Sequence, residues 1–383
     1  MLGPMDARGR RALSSPGAGE PTGTGVEPAA EPLSGFEAAR GEWTQLAERA
    51  GNLFATWEWA STWWRHFGRD RPLRLFRARH PDGSLAAILP LYQAARSPLR
   101  IVRFVGHGPA DQLGPVAAPD DRAVAARALR RTLESGELRA DLLLTERLPG
   151  DEGWAPALAP AAVLRRESSP VIRIAGLGWE DFLASRSSNF RGQVRRRERK
   201  LVRDHALELR LSDDPERLPA DFETFLSLHA ARWGRESGAF GETRRAFHRE
   251  FAARALERGW LRLWLAEVGG RTIAAWYGFR YGDAEWYYQA GRDPAWEESS
   301  VGFVLLSHTV REAFEARMRE YRLLLGDEPY KERFATEDPG LETLGLAGTR
   351  RGRAALTGVA LAEHLPGRAG RVSGGLIDRS TRR

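Results

Sequence analysis

The sequence predicts an α/β (α+β) protein of two similar lobes in tandem, each a mixed, mostly antiparallel sheet flanked by helices. Two observations predict it. The first is an internal repeat. Residues 73–92, LRLFRARHPDGSLAAILPLY, align without a gap with residues 261–280, LRLWLAEVGGRTIAAWYGFR, and are identical at six of twenty positions. The second is the order of patterns in the C-terminal two-thirds: helices, a three-strand meander, one long helix, then a strand. A length of 383 residues accommodates two lobes at about 150 residues per domain.

Residues 1–34 are rich in Gly, Pro, Ala and Ser without apolar periodicity, and read as a disordered leader. The N-terminal lobe is expected over 35–165. Helical patterns run through Trp43 and Leu46 and again over 57–67, and residues 73–92 form two strands around the Pro81-Asp82-Gly83 turn. The C-terminal lobe is expected over 166–365. It begins with a strand at 171–174 and a helical turn at 179–185. Helices follow at 190–202, 222–233 and 243–258, the last stopped by Gly259. Strands at 261–267, 272–281 and 285–290 are separated by Gly269-Gly270 and Gly282-Asp283. A long helix over 300–319 precedes strands at 322–325 and 341–346, and residues 366–383 read as a flexible tail.

Composition excludes several classes. There is no cysteine, hence no disulfide, thiolate metal site or cysteine nucleophile. The eight histidines show no metal-binding spacing, so no metal is expected. No run of about 18 apolar residues and no basic start with an apolar segment behind it is present. The expectation is a cytoplasmic chain without membrane insertion. The net charge of +7 is carried almost wholly by arginine, a pattern typical of GC-rich coding, so only local charge clusters are informative.

Five segments carry candidate chemistry: Val194-Arg195-Arg196-Arg197-Glu198-Arg199-Lys200-Leu201, Leu228-His229-Ala230-Ala231-Arg232-Trp233, Tyr288-Gln289-Ala290-Gly291-Arg292-Asp293-Pro294, Ser300-Val301-Gly302, and Gly326-Asp327-Glu328-Pro329-Tyr330-Lys331. In this order they resemble the CelD-like branch of the GNAT acyltransferases, similar in fold to the two-lobed Fem-type peptidyl transferases. The resemblance covers about residues 182–334. It implies transfer of an acyl group from acetyl-CoA or another acyl-CoA, or from aminoacyl-tRNA in the Fem branch, to a small-molecule or glycan-precursor acceptor. It also implies that Ser300, Val301 and Gly302 open a helix whose start holds the diphosphate of the donor, with Ala290 beside its pantetheine. The glycine-rich loop usual at that place is absent, and only Gly302 remains.

For the chemistry itself, Lys331 is singled out because lysine is so scarce here, and a compact ammonium suits a carbonyl oxygen or phosphate. Asp327 could take a proton or be a turn residue. Strand alternation over 285–290 sets Tyr287 and Gln289 on one face and Trp286 and Tyr288 on the other. Tyr288 could protonate a leaving thiolate or pack in a core, and Gln289 needs a partner if buried. His229, which shares a helical face with Trp233, could act as general base or pack in a core. Arg195, Arg196, Arg197, Arg199 and Lys200, with Trp233, could meet a phosphorylated donor, a nucleotide-linked sugar or tRNA, or be a solvated helix face.

Overall fold

The computed structural model describes residues 30–234 and 238–363. The remaining residues, which include most of the expected leader and all of the tail, lie outside that description. The first sheet contains β1 (Ala30–Pro32), β2 (Leu73–Arg79), β3 (Leu85–Ala95), β4 (Ile101–Phe104), β5 (Val116–Ala117), β6 (Leu142–Pro149) and β7 (Ala162–Glu167). The second contains β8 (Val171–Arg173), β9 (Glu208–Leu211), β10 (Leu261–Val268), β11 (Arg271–Tyr281), β12 (Ala284–Arg292) and β13 (Glu320–Arg322). A last strand, β14 (Leu341–Ala347), returns to the first sheet.

The strand orders are β1-β2-β3-β4-β6-β14-β7, with β5 on β3, and β8-β13-β12-β11-β10-β9. Read from opposite ends, the first five strands of the eight-stranded and six-stranded sheets follow the same arrangement. An antiparallel run β1-β2-β3-β4 continues into the parallel pair β4–β6. The run β9-β10-β11-β12 continues likewise into the parallel pair β12–β13. The repeated segments are therefore the β2–β3 and β10–β11 hairpins, in equivalent places.

The helices repeat as well. Helices α1 (Phe36–Ala50) and α2 (Trp57–Phe67) lie between β1 and β2, and α3 (Arg122–Glu134) precedes β6. A four-residue helix, α4 (Trp154–Ala157), links β6 to β7. In the second lobe α5 (Trp179–Ser185) and α6 (Ser188–His205) come first. Helices α7 (Leu218–Trp233) and α8 (Glu242–Glu257) then lie between β9 and β10, and α9 (Val301–Glu315) precedes β13. The chain continues through α10 (Pro329–Glu332) and ends its described part with α11 (Arg350–Glu363). Local chemistry sets these boundaries: Thr56 caps α2 by accepting from the Trp59 N–H, and α1 stops at Gly51 in the left-handed region.

One core spans both lobes. Trp59 of α2 meets Phe247 and Phe251 of α8 edge-on, with ring centroids 4.9 and 4.7 Å apart, and Glu58 pairs with Arg258. A second core fills the opposite face of the second sheet, under α5, α6 and α9. A third, smaller core lies under α11 and includes Ile101, Leu142, Leu164 and Val359.

Three expectations are corrected. The strand at 341–346, placed in the C-terminal lobe, pairs with β6 and β7 of the first sheet. The leader reading fails for residues 30–32, which form β1 against β2. The long helix ends at Glu315 rather than 319, because Arg317 turns into the left-handed region at φ 54° before β13 begins.

Candidate functional site

Between the C-terminal half of β12 and the start of α9 lies a pocket of about 210 Å³. The backbone at its mouth is unusual. Ser300, the residue before α9, is in the left-handed region (φ 57°, ψ 36°), and no side chain caps the helix. Non-glycine residues adopt this conformation at a cost of roughly 1–2 kcal/mol, and such outliers gather at binding sites. The uncapped start of a 15-residue helix presents free N–H groups and the positive end of its dipole. Gly302 lines the pocket. A Cβ there would have Arg292 Cδ as its nearest neighbour, at 3.7 Å, so the space in front of the helix is open.

Arg197, Arg232, Arg292 and Arg333 line the same pocket. Some buried or half-buried arginines elsewhere are neutralised by carboxylates, Arg210 by Asp221 and Glu267, and Arg311 by Glu198. At the pocket Arg292 pairs with Glu297, whereas Arg197, Arg232 and Arg333 have no carboxylate partner among the described residues. Burial and the charges of Arg333 and Arg196 lower the pKa of Arg197. The guanidinium groups are held by aromatic rings instead. Arg197 lies over Phe303 at 5.2 Å, Arg333 over Phe303 at 5.0 Å and Phe190 at 5.4 Å, and Arg232 over Trp233 at 4.4 Å. Cations clustered and left unneutralised call for an anionic ligand.

Tyr287 and Tyr330 also line the pocket. The Tyr330 hydroxyl donates to Tyr287 Oη at 3.2 Å. With its oxygen accepting from Tyr330, Tyr287 keeps its own O–H free to donate. Burial raises the Tyr287 hydroxyl above its ordinary range, while the bond from Tyr330 and the nearby charge of Arg232 pull it down. Burial also raises Tyr330. Both hydroxyls are therefore protonated at neutral pH.

The expected alternation along β12 does not hold. A β-bulge pairs Gly278 with Tyr287 and Tyr277 with Gln289, which leaves Tyr288 as the extra residue. Tyr287 stacks on Trp276 on the α9 side. Tyr288 points to the opposite face, where its hydroxyl donates to Pro109 O at 2.8 Å and lies 3.1 Å from His248 Nε2. Gln289 also faces that side and bonds to His229. Gly291 permits this close approach of β12 to α7, since a Cβ there would lie 2.3 Å from the His229 nitrogen.

The structure thus divides the residues singled out in the sequence. Ser300, Gly302 and Ala290 line the pocket. The side chain of Val301 is buried in the second core, so only its backbone could serve a ligand. Tyr288, Gln289 and His229 lie on the other face of the sheet. Lys331 is 3% exposed, donates to the carbonyls of Leu324 and Leu325, and pairs with Glu328. Asp327 is exposed in the loop before α10. Arg195 pairs with Glu180 and Arg199 donates to the Arg195 carbonyl, both on the exposed side of α6 with Arg196. Trp233 is 45% exposed and donates to Ala290 O at 3.3 Å. The sequence alone did not single out Tyr330, Arg232, Arg333 and Arg292, whereas Arg197, part of the basic cluster, does line the pocket.

His229, 3% exposed, is pushed down to about 4 by burial, against the opposing bond from Gln289. It is neutral at pH 7. Because its folded pKa lies below the ordinary value, its contribution to stability is present above about pH 6.5 and lost as pH falls through 4. Burial shifts His248 and His308 in the same direction. The melting temperature should therefore fall between pH 6.5 and 4.5, before most carboxylates titrate. A His229→Gln variant should show a shallower fall across that window, and an unchanged slope would contradict the assignment.

Comparison with known proteins bears on the same segment. Residues 188–332, which carry the pocket, match the family described as acetyltransferase (GNAT) domain. Most of the chain also superimposes on FemX (11% identity, TM-score 0.60), covering 83% of this chain and 97% of that one. The segment that carries the pocket thus matches a GNAT domain, and the chain shares its overall fold with FemX. L-PGS from Bacillus licheniformis is similar as well (12% identity, TM-score 0.51; 83% and 94% covered). So is a conserved protein of unknown function from Bacteroides thetaiotaomicron VPI-5482 (12% identity, TM-score 0.54; 82% and 98% covered). No curated protein matches the chain. The two lobes are not equivalent: the pocket described above belongs to the second, and the counterpart of α9 in the first lobe is α3. No helix among the described residues is long and apolar enough to cross a membrane.

Proposed function

We propose that the second lobe transfers an acyl group, acetyl in the simplest case, from a coenzyme A thioester to an amine or hydroxyl of a small or glycan-precursor acceptor, as in the CelD-like branch. The observation that carries this reading is the set of arginines without carboxylate partners around an uncapped helix start. The N–H groups before Gly302, with Arg197, Arg232 and Arg333, would hold a diphosphate. A coenzyme A thioester supplies the activated acyl carbon there.

The residues of the chain do the rest. As the acceptor nucleophile forms its bond to the acyl carbon and the carbon–sulfur bond breaks, Tyr287 gives its free proton to the departing sulfur. The proton that the acceptor nitrogen or oxygen loses restores Tyr287 by way of Tyr330, which is already hydrogen-bonded to it. The arginines keep the donor in register while this happens. A donor of this kind places the reaction in the cytoplasm.

Ligand-dependent melting tests the reading. A ligand that binds only the folded state stabilises it by about 2.7 kcal/mol at a hundred times its Kd, worth roughly 5–10 °C for a lobe of this size. Acetyl-CoA should produce such a shift, and Gly302→Glu should abolish it by placing a carboxylate where phosphate binds. The open space at Gly302 lets the variant fold. If no acyl-CoA shifts melting while charged tRNA binds in a salt-sensitive way, the donor assignment falls to the Fem-type reaction.

A further inference from the structure

A second depression, of about 340 Å³, adjoins the donor pocket and shares Arg333 with it but neither of its tyrosines. Arg186, Ser187, Asn189 and Gln193 line it with Arg333. Arg186 is anchored from behind. Its guanidinium lies over the Phe182 ring at 4.8 Å, and Nη1 donates to Ala335 O at 2.9 Å. Its Nε is buried and makes no hydrogen bond, and burial lowers its pKa. Among the described residues no carboxylate pairs with Arg186 or with Arg333, which is held by Gln193 Oε1 at 2.8 Å.

A guanidinium held partly out of water by an aromatic ring and a carbonyl, with no counter-ion, is costly unless a ligand completes it. The more exposed Arg333, whose guanidinium lies over Phe190, joins it in this depression. A phosphomonoester, with about −1.5 to −2 charge and three acceptor oxygens, answers both, whereas a phosphodiester carries only one charge. The depression meets the donor pocket at Arg333, and neither Tyr287 nor Tyr330, where the acyl group must react, lines it. An acceptor would have to reach those tyrosines.

We infer that this depression is a subsite for the terminal phosphomonoester of the donor, the ribose 3′-phosphate that distinguishes coenzyme A from dephospho-coenzyme A. The inference rests on the donor assignment above. It makes Arg186, outside the donor pocket itself, a determinant of donor specificity, with Arg333 as the link between two anion sites.

Equilibrium binding of coenzyme A and dephospho-coenzyme A to the full chain tests it. The wild-type chain should prefer coenzyme A by roughly tenfold or more, the range expected of a charge-assisted hydrogen-bonded contact. Arg186→Gln should bind both compounds as the wild type binds dephospho-coenzyme A, and that retained affinity shows that the variant is folded. Should Arg186→Gln not fold, Arg186→Lys, which keeps the charge without the planar fork, should show a reduced preference. Equal binding of the two compounds by the wild type overturns the subsite while leaving the donor assignment standing. A preference that survives both substitutions also overturns it. Binding of neither compound overturns the donor assignment, and the subsite with it.

Discussion

Replacing Tyr287 by Phe should lower kcat by roughly 100-fold or more, as expected for loss of a positioned proton donor, while KM for the acyl-CoA moves by no more than about threefold. The ring is retained, so its stacking on Trp276 survives. The hydroxyl alone disappears, and with it the one O–H of the cluster that no other bond consumes. Tyr330→Phe should cost less. It removes a bond that Tyr287 accepts and the route by which the proton is restored, but leaves the donor in place. The two effects should not add, because the hydroxyls act as one unit. A kcat unchanged in Tyr287→Phe, measured by thiol release at saturating acceptor, would remove the pair from the mechanism. Equal losses in kcat and binding would instead make Tyr287 a ligand contact.

The face of Gln289 could not be read from the chain, and the reason is the bulge at Tyr288. Alternation along a strand assigns faces correctly only while the pleat is unbroken. One extra residue in β12 moved Gln289 to the α7 side. Gly278, inside the neighbouring strand, was the signal available for it, since an interior strand glycine often marks a bulge. A Cβ there would strike the Trp286 carbonyl at 2.3 Å.

Arg197 carries a similar lesson. It lies three residues after Val194 and four before Leu201, on the buried stripe of α6, while Arg195, Arg196 and Arg199 face solvent. The helical period was legible, but the cluster of charges hid the one arginine that turns inward. Helices, hairpins and the internal repeat are local patterns, and these were readable. The pairing of β14 with β6 and β7 joins residues some 200 positions apart, and no local pattern encodes it.

Lys331→Ala should lower stability by about 3 kcal/mol, the range for breaking a buried, hydrogen-bonded charge pair, and the melting temperature by roughly 6–12 °C. The scarcity of lysine marks this residue as singular, yet its ammonium is spent inside the protein. It closes the loop between β13 and α10 on the carbonyls of Leu324 and Leu325. That loop is strained, with Leu324 in the left-handed region at φ 57°. It is also where the lobes meet: the Lys331 charge acts on Asp111 of the first lobe, which Arg147 holds from the other side. Without the ammonium, two carbonyls lose their donor and the loop loses its fastener. Tyr330 is the next residue toward the N-terminus, so activity should fall along with stability as its hydroxyl leaves Tyr287. Paired measurement of melting and kcat separates the roles. A fall in both assigns Lys331 to positioning, whereas an intact melting temperature with kcat reduced 100-fold, typical of a lost transition-state donor, would assign it to the chemistry itself.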